Sequence, residues 1–228
     1  MSNQIIIALT FISFLILFAI VGIYSATQKT NTTTDYLLAN RQVNPWITAL
    51  SAMSTGQSGL LFIGQVGFAY TFGIAGLWLT IGWAIGDYLA WWLAFKRLRL
   101  VSEESGSETI SSFLENGQKQ GRNWIRVTTA LIIIAFLGTY AAAQLVAGSK
   151  TLNAVFGWNY YVGIMLGALV VCIYCFSGGI RASIWTDAIQ AVIMIFSLLL
   201  LLIVALNYCG GIDQLWATLG KIDPNLIN

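Results

Sequence analysis

Long apolar stretches with almost no charge constrain this chain more than any other feature of its sequence. An α-helix crosses the roughly 30 Å hydrocarbon core of a bilayer with about 20 residues, so such stretches predict membrane-spanning helices. Six of them occur, at residues 5–25, 46–72, 73–95, 127–149, 157–176 and 184–208. Only Asp87 and Asp187 carry charge within them. We therefore predict an all-α membrane protein with six transmembrane helices.

The composition excludes the main alternatives to a membrane protein. Only 9% of the residues are charged and 57% are hydrophobic, against about 25% charged residues in an average soluble domain. So little charge excludes a disordered chain as well. Three cysteines are an odd number, which argues against a disulfide scaffold.

The distribution of Lys and Arg predicts the orientation, because short loops rich in these residues stay in the cytoplasm. With the amino terminus outside, nine of the 11 Lys and Arg residues lie in cytoplasmic loops or at their helix ends. The first stretch is too long for a signal peptide core and is expected to be retained. We expect one transmembrane domain over 1–228 in the cell membrane. Residues 97–123 would form a cytoplasmic loop, with a short helix capped near Ser107, and 209–228 an external tail.

The second stretch is poorly suited to a regular helix. Between Thr48 and Ser58 it is rich in hydroxyl and amide side chains, and Gly56, Gly59, Gly64 and Gly67 follow closely. Glycine costs about 1 kcal/mol relative to Ala in a helix interior. We predict that the helix is interrupted within residues 54–59, where free carbonyl groups can bind a small cation. The alternative is that the small residues only permit close helix packing.

Charged and polar side chains inside the apolar stretches are further candidates for a site. Asp187 is predicted to lie in the first turn of its helix, where a capping or gating role is favoured over ion coordination. For Asp87, pairing with an arginine is as plausible as a transport role. Tyr140, Gln144 and Gln190 each need an internal partner and could face the centre of the bundle.

Motifs of enzymes are absent from the sequence. The chain has no His, no phosphate-binding loop and no GxGxxG motif, and the CxxC formed by Cys172 and Cys175 lies within an apolar stretch. These small sulfur side chains are best explained by packing. We expect neither enzymatic activity, nor a cofactor, nor a nucleic-acid partner.

Three segments resemble the amino-terminal half of the sodium:solute symporter family, and within it the sodium/proline symporters. They are DYLLANRQVNPWITALSAMSTGQSG from Asp35, GTYAAAQLVAGSKTLNAVFG from Gly138 and FSGGIRASIWTDAIQAVIMIF from Phe176. The resemblance runs in order from about residue 5 to about residue 211. It implies a LeuT-like inverted-repeat fold, in which 5–25 is an extra first helix and 46–208 forms the first five-helix repeat.

The resemblance also implies a function and the residues that carry it. It implies that the protein lies in a lipid bilayer and carries out sodium-coupled symport of a small organic solute, such as the amino acid proline. The coupling ion would be Na⁺. The implied residues are the carbonyl groups of Ser54 and Gln57 for sodium, Ser58, Gly59 and Tyr140 for the solute, and Arg41 and Asp187 for gating or the ion path.

The sequence departs from the family pattern in two respects. Gly56 stands where sodium/proline symporters carry an aspartate, which affects both proline specificity and the strength of sodium coupling. Family members also continue well beyond this length, so we expect a truncated amino-terminal half that needs the missing second half. The alternatives are a transporter-like sensor or partner-binding membrane module, and a non-functional fragment.

Overall fold

The computed structural model describes residues 3–28, 30, 32–57, 59, 64–117, 123–223 and 226, and among these it contains helices and turns but no strand. This confirms the all-α class. The α-helices are α1 (Asn3–Thr27), α2 (Thr33–Leu38), α3 (Pro45–Gly56), α4 (Val66–Phe72), α5 (Gly76–Ala90), α6 (Lys96–Glu104), α7 (Ile110–Asn116), α8 (Asn123–Phe156), α9 (Tyr160–Tyr208) and α10 (Ile212–Ile222). Short 3₁₀ turns cover Ala39–Arg41 and Gly73–Ala75, and a π-helical turn covers Trp91–Phe95.

Four helical segments in the described chain are long and apolar enough to cross a membrane. They are Ile5–Ser25, Val66–Glu104, Asn123–Phe156 and Gly178–Tyr208, and Tyr160–Ile173 is a shorter apolar helix. The chain is therefore a multi-pass membrane protein. The count of six stays a prediction, because the second predicted span is not among these four: α3 ends within it at Gly56, and part of the rest lies outside the described residues.

Side-chain burial has the pattern expected when lipid surrounds the protein. Large apolar side chains along α1, α5, α8 and the end of α9 are exposed. The buried residues are instead small or polar, and they include Ser25, Ala39, Ser51, Ser149, Ala182, Thr186, Ala188 and Ala191. Small residues let helices approach closely, which is how helices associate in lipid without a hydrophobic driving force.

The chain forms two compact units, and the first consists of Met1–Gly59 with Thr129–Met194. In this unit the rings of Phe11 in α1 and Phe156 in α8 lie 5.5 Å apart. The hydroxyl of Ser149 donates a hydrogen bond to the carbonyl of Tyr160, which ties the end of α8 to the start of α9. The described residues to which the family resemblance assigns a role in the site all belong to this unit.

The second unit consists of Leu60–Thr128 with Ile195–Asn228. Here Gly73, with φ of 60°, separates α4 from α5 at the border predicted between the second and third spans. Gly73 also lies against the backbone of Leu226, since a Cβ atom at position 73 would be 2.7 Å from the Cα of that residue. In the same unit, Glu115 and Arg126 form an ion pair of 3.7 Å. The single-domain organisation of the whole chain stays a prediction.

Two intervals predicted as a loop and a tail contain helices. Within 97–123, α6 continues from the preceding helix and α7 follows after a short turn. The cap of α7 is Thr109, which exchanges hydrogen bonds with Ser112. It lies within residues 107–110, the stretch that was expected to supply a cap for a short helix. In the tail, α10 has Asp213 in its first turn and Lys221 in its last, the arrangement that suits the helix dipole.

Candidate functional site

The helix that begins the second predicted span stops inside that span. Asn44 caps its start, since its side-chain oxygen accepts a hydrogen bond from the Trp46 amide at 2.9 Å. The helix ends at Gly56, and Gln57 is extended with φ of −82° and ψ of 93°. The chain thus leaves the helical path within residues 54–59, where the glycine and hydroxyl content predicts an interruption.

The end of α3 makes backbone carbonyl groups available for other partners. A helix leaves its last carbonyls without amide partners from a following turn. The Gln57 amide donates to the carbonyl of Ser54 at 3.1 Å, which uses one of the two lone pairs of that oxygen. A carbonyl oxygen has a second lone pair with which it can contact a further partner, such as a cation. Carbonyl oxygens are ligands that hard cations prefer.

A side chain of α8 binds the backbone just after the interruption. The amide of Gly59 donates a hydrogen bond to Oε1 of Gln144 at 2.7 Å. A Cβ atom at position 59 would lie only 2.6 Å from Cβ of Ala147 and 3.1 Å from Oε1 of Gln144. The backbone approaches α8 so closely that only glycine fits at this position. Gln144 was predicted from sequence to face inward, but its partner could not be named.

A second side chain binds α3 before the interruption. Ser51 is 6% exposed, and its hydroxyl donates to Oδ2 of Asp187 in α9 at 3.2 Å. The hydroxyl of Ser183 donates to the same oxygen at 3.4 Å. The interruption therefore lies between two polar contacts, one to α9 through Ser51 and one to α8 through Gly59.

The structure corrects the predicted position of Asp187 in its helix. The prediction that Asp187 lies in the first turn of its helix assumed that this helix begins at residue 184. The actual break in α9 is at Gly179, with φ of 58° and ψ of −149°, and helical geometry resumes directly after it. Asp187 consequently lies about two turns into the helical segment, and its carboxylate binds side-chain hydroxyls. The glycine pair before Ile180 marks the true boundary.

The remaining predicted site residues occupy three places. Tyr140 lies one turn before Gln144 on the same face of α8 and is 47% exposed. Arg41 lies in the 3₁₀ turn after α2, in the segment that precedes α3. Ser58 lies outside the described residues.

A buried ion pair that the sequence did not reveal ties the segment after α1 to α9. Asp35 is 1% exposed, and its Oδ1 accepts a hydrogen bond from Nη2 of Arg181 at 2.5 Å. The amide of Thr30 donates to Oδ2 of Asp35 at 2.7 Å, and Nη2 of Arg181 also donates to the carbonyl of Ala39 at 3.2 Å. The two charged residues are 146 positions apart in sequence, so no local pattern pairs them.

The charged form of Asp35 is favoured in this environment. Burial of the carboxyl group disfavours its ionised form and by itself would raise the pKa of Asp35. The hydrogen bonds from the Arg181 guanidinium and the Thr30 amide, together with the charge of Arg181, have a larger effect. The net result is a pKa of Asp35 below its ordinary value. Asp35 and Arg181 therefore form a true ion pair at neutral pH.

The same segment contacts α9 on both sides of its break. Before the break, the hydroxyl of Tyr36 donates to the carbonyl of Cys175 at 3.2 Å. A Cβ atom at Gly179 would lie 2.6 Å from the carbonyl oxygen of Tyr36. After the break, Arg181 holds Asp35. The residues that follow, Ala39–Arg41, all have positive φ, an uncommon run for non-glycine residues.

Comparison with known proteins gives a consistent result. The family model described as "Sodium:solute symporter family" matches residues 36–228. The protein "Sodium/proline symporter 2" of Staphylococcus saprophyticus is 35% identical over 223 residues, which cover 96% of this chain and 43% of that relative. The "High-affinity proline transporter PutP" of Bacillus subtilis (strain 168) is 34% identical over 206 residues, which cover 90% of this chain and 44% of that relative. No solved structure matches the chain.

Proposed function

Because this chain belongs to the sodium:solute symporter family, we propose that it forms the sodium-binding wall of a sodium-coupled symporter for a small organic solute. Proline is the leading candidate for the solute, since the relatives named above are a sodium/proline symporter and a proline transporter. These relatives are transporters by name rather than enzymes. The coupling ion is Na⁺, and no cofactor is part of the proposal.

One observation carries the proposal, namely the end of α3 at Gly56 inside a predicted membrane span. Irregular backbone at membrane depth persists only where protein buries it or where it lines a watery cavity. Transporters use such interruptions to bind ions and solutes near the bilayer midplane. The contacts from Asp187 to Ser51 and from Gln144 to Gly59 support this use, because they hold both sides of the interruption.

Within this proposal, each predicted site residue has a role. The carbonyls of Ser54 and Gln57 bind sodium, while Ser58, Gly59 and Tyr140 lie beside the solute. Asp187 positions α3 through Ser51 and takes part in gating, and Arg41 lies on the cytoplasmic part of the ion path. Gly56 offers no carboxylate, so sodium is held mainly by neutral oxygen ligands.

The proposed architecture has six transmembrane helices in the plasma membrane, with the amino terminus outside. The first is an extra helix, and the other five form the first repeat of a LeuT-like fold. The excess of Lys and Arg in the proposed cytoplasmic segments supports this orientation. The end of α3 at Gly56, with Gln57 extended, supports the assignment of the broken first helix of the repeat.

The chain spans less than half of the length of the curated relatives described above. A hard cation prefers about six oxygen ligands or more, and the proposal assigns two, the carbonyls of Ser54 and Gln57. We propose that the opposite wall of the path, with the remaining ligands, comes from residues equivalent to the second half of the family fold.

Reconstitution into vesicles tests this function. Radiolabelled proline is presented to vesicles that contain the chain, under an inward sodium gradient or an equal potassium gradient. Accumulation stimulated by sodium supports transport, and sodium-dependent binding without accumulation supports a binding wall or a sensor. Absence of both contradicts the proposal.

A further inference from the structure

The hydrogen bond between Gly59 and Gln144 gives a role to a residue that nothing above assigns to sodium or solute. We propose that Gln144 is a positioning residue that accepts the amide freed by the helix interruption and thereby sets the sodium affinity of the Ser54 and Gln57 carbonyls. The sodium part of this inference rests on the proposed function.

The energetic reason for the contact lies in the surroundings of the interruption. An amide that loses its helical partner at membrane depth cannot turn to water, and an unsatisfied amide in hydrocarbon costs several kcal/mol. Oε1 of Gln144 supplies the missing acceptor at 2.7 Å from the Gly59 nitrogen. Without that acceptor, the Gly59 amide can find another hydrogen-bond partner only if the backbone around it changes conformation.

The backbone at Gly59 is also held close to α8 by packing, and not by the hydrogen bond alone. Position 59 lies so near Ala147 that a Cβ atom would be 2.6 Å from the Cβ of that residue. Gln144 and Ala147 are three positions apart on α8, so they share one face. Because Gly59 has no side chain, its amide can come within hydrogen-bonding distance of this face. The hydrogen bond to Gln144 then holds the amide in place.

The contact acts at a distance from the cation ligands. Gly59 is two positions after Gln57, so the hydrogen bond limits where the peptide groups between them can lie. On the other side of the interruption, Ser51 is bound to Asp187. With both ends held, the orientation of the intervening carbonyl groups is restricted before a cation arrives, which lowers the ordering cost of binding.

The test replaces Gln144 in the complete chain, reconstituted in lipid nanodiscs. Gln144→Leu removes the hydrogen-bond acceptor while keeping a side chain of similar size. Gln144→Glu keeps an acceptor oxygen at the same position, as part of a carboxyl group. Thr139→Val is the matched control. It removes from the same helix a hydroxyl that donates to the carbonyl of Ala135 in that helix. Amide hydrogen exchange of the peptide that contains Gly59 is measured in NaCl and in KCl over a range of concentrations.

We expect Gln144→Leu to speed exchange at Gly59 by about tenfold or more, the effect of losing one buried hydrogen bond. We also expect it to raise the sodium concentration that half-protects the segment by a similar factor. Gln144→Glu should restore both values most of the way, and Thr139→Val should resemble the wild type.

Two results would overturn the inference. Unchanged exchange at Gly59 in Gln144→Leu would show that the hydrogen bond does not hold the segment. Faster exchange with an unchanged sodium response would show a purely structural role. If the wild type itself shows no difference between sodium and potassium, the proposed function fails, together with the sodium part of the inference, while the exchange rates still decide whether Gln144 holds Gly59.

Discussion

Gly59 is the residue at which the packing of the site is tightest. Any side chain there meets Ala147. In a protein that also contains the second half of the family fold, we therefore expect Gly59→Leu to abolish sodium-stimulated proline uptake while the protein still inserts into the membrane. Gly59→Ala should reduce uptake, since even its Cβ atom would lie 2.6 Å from that of Ala147. Uptake and the amount of inserted protein are measured in parallel.

Two variants make the steric explanation testable. Gly138→Ala lies on α8, where a Cβ atom meets nothing within 4 Å, and should behave like the wild type. Combining Gly59→Ala with Ala147→Gly removes the colliding atom and should recover part of the uptake. If the double variant is no better than Gly59→Ala alone, collision with Ala147 is not the cause.

Arg181 is the residue whose loss should cost the most stability. Arg181→Met would leave the carboxylate of Asp35, which is 1% exposed, without its counter-charge. Removing one partner of a buried ion pair typically costs about 3–5 kcal/mol. We expect a clear drop in the thermal unfolding midpoint in detergent, with a smaller drop when Asp35→Asn is added. Equal midpoints for wild type and Arg181→Met would contradict the ion pair.

The same pair predicts a dependence on pH. The folded-state pKa of Asp35 is below its ordinary value of 3.8. The stabilisation is therefore fully present above that ordinary value and is lost as the pH falls through the lower folded-state value. The difference in unfolding midpoint between wild type and Asp35→Asn should be constant near neutral pH and shrink at strongly acidic pH. A difference that grows on acidification would contradict the assignment.

The sequence predicted some of these residues and not others, for physical reasons. The interruption was predictable because glycine and hydroxyl residues are locally poor helix formers, a property of neighbouring positions. The inward orientation of Gln144 was predictable because a carboxamide in lipid needs a partner. The pairing of Asp35 with Arg181 was not, because it depends on how α9 bends at Gly179 and brings residue 181 beside a short helix far away in sequence.

Among the elements, the break in α9 depends on a glycine with no tolerable substitute. Gly179 has φ of 58° and ψ of −149°, a region that other residues occupy at a cost of about 1–3 kcal/mol. A Cβ atom would also meet the Tyr36 carbonyl. We expect Gly179→Ala to lower the unfolding midpoint more than Gly157→Ala, because Gly157 also has positive φ but open space around its Cβ position. Equal effects would show that strain alone matters.

Helix ends were the least predictable part of the elements. Hydropathy predicts spans from continuous apolar runs, and it placed the start of the last helix at residue 184. The stretch FSGGIRAS before that position contains polar residues, but the residues after Gly179 are helical, so this helical segment starts earlier. The loop at 97–123 and the tail were predicted from their charge. Charge indicates exposure to water but does not prevent a helix. Besides the short helix expected near Ser107, which is α7, the helices α6 and α10 form there.

For the whole molecule, the orientation in the membrane is open to direct measurement. After replacement of the three native cysteines, Ser105→Cys in the proposed cytoplasmic segment should react with an impermeant thiol reagent only from the inside. Lys150→Cys should react only from the outside. Both positions are exposed. The reverse pattern would invert the topology that the Lys and Arg distribution predicts.

The central claim is that the interruption after Gly56 binds sodium, and a single reporter at that point tests it most directly. Gln57→Cys, in a chain without Cys172, Cys175 and Cys209, keeps the backbone carbonyl at 57 and places a thiol beside it. We predict that sodium slows maleimide labelling of this thiol several-fold relative to potassium, while labelling of Lys150→Cys in the same background is unaffected. Equal labelling rates in sodium and potassium would contradict the claim.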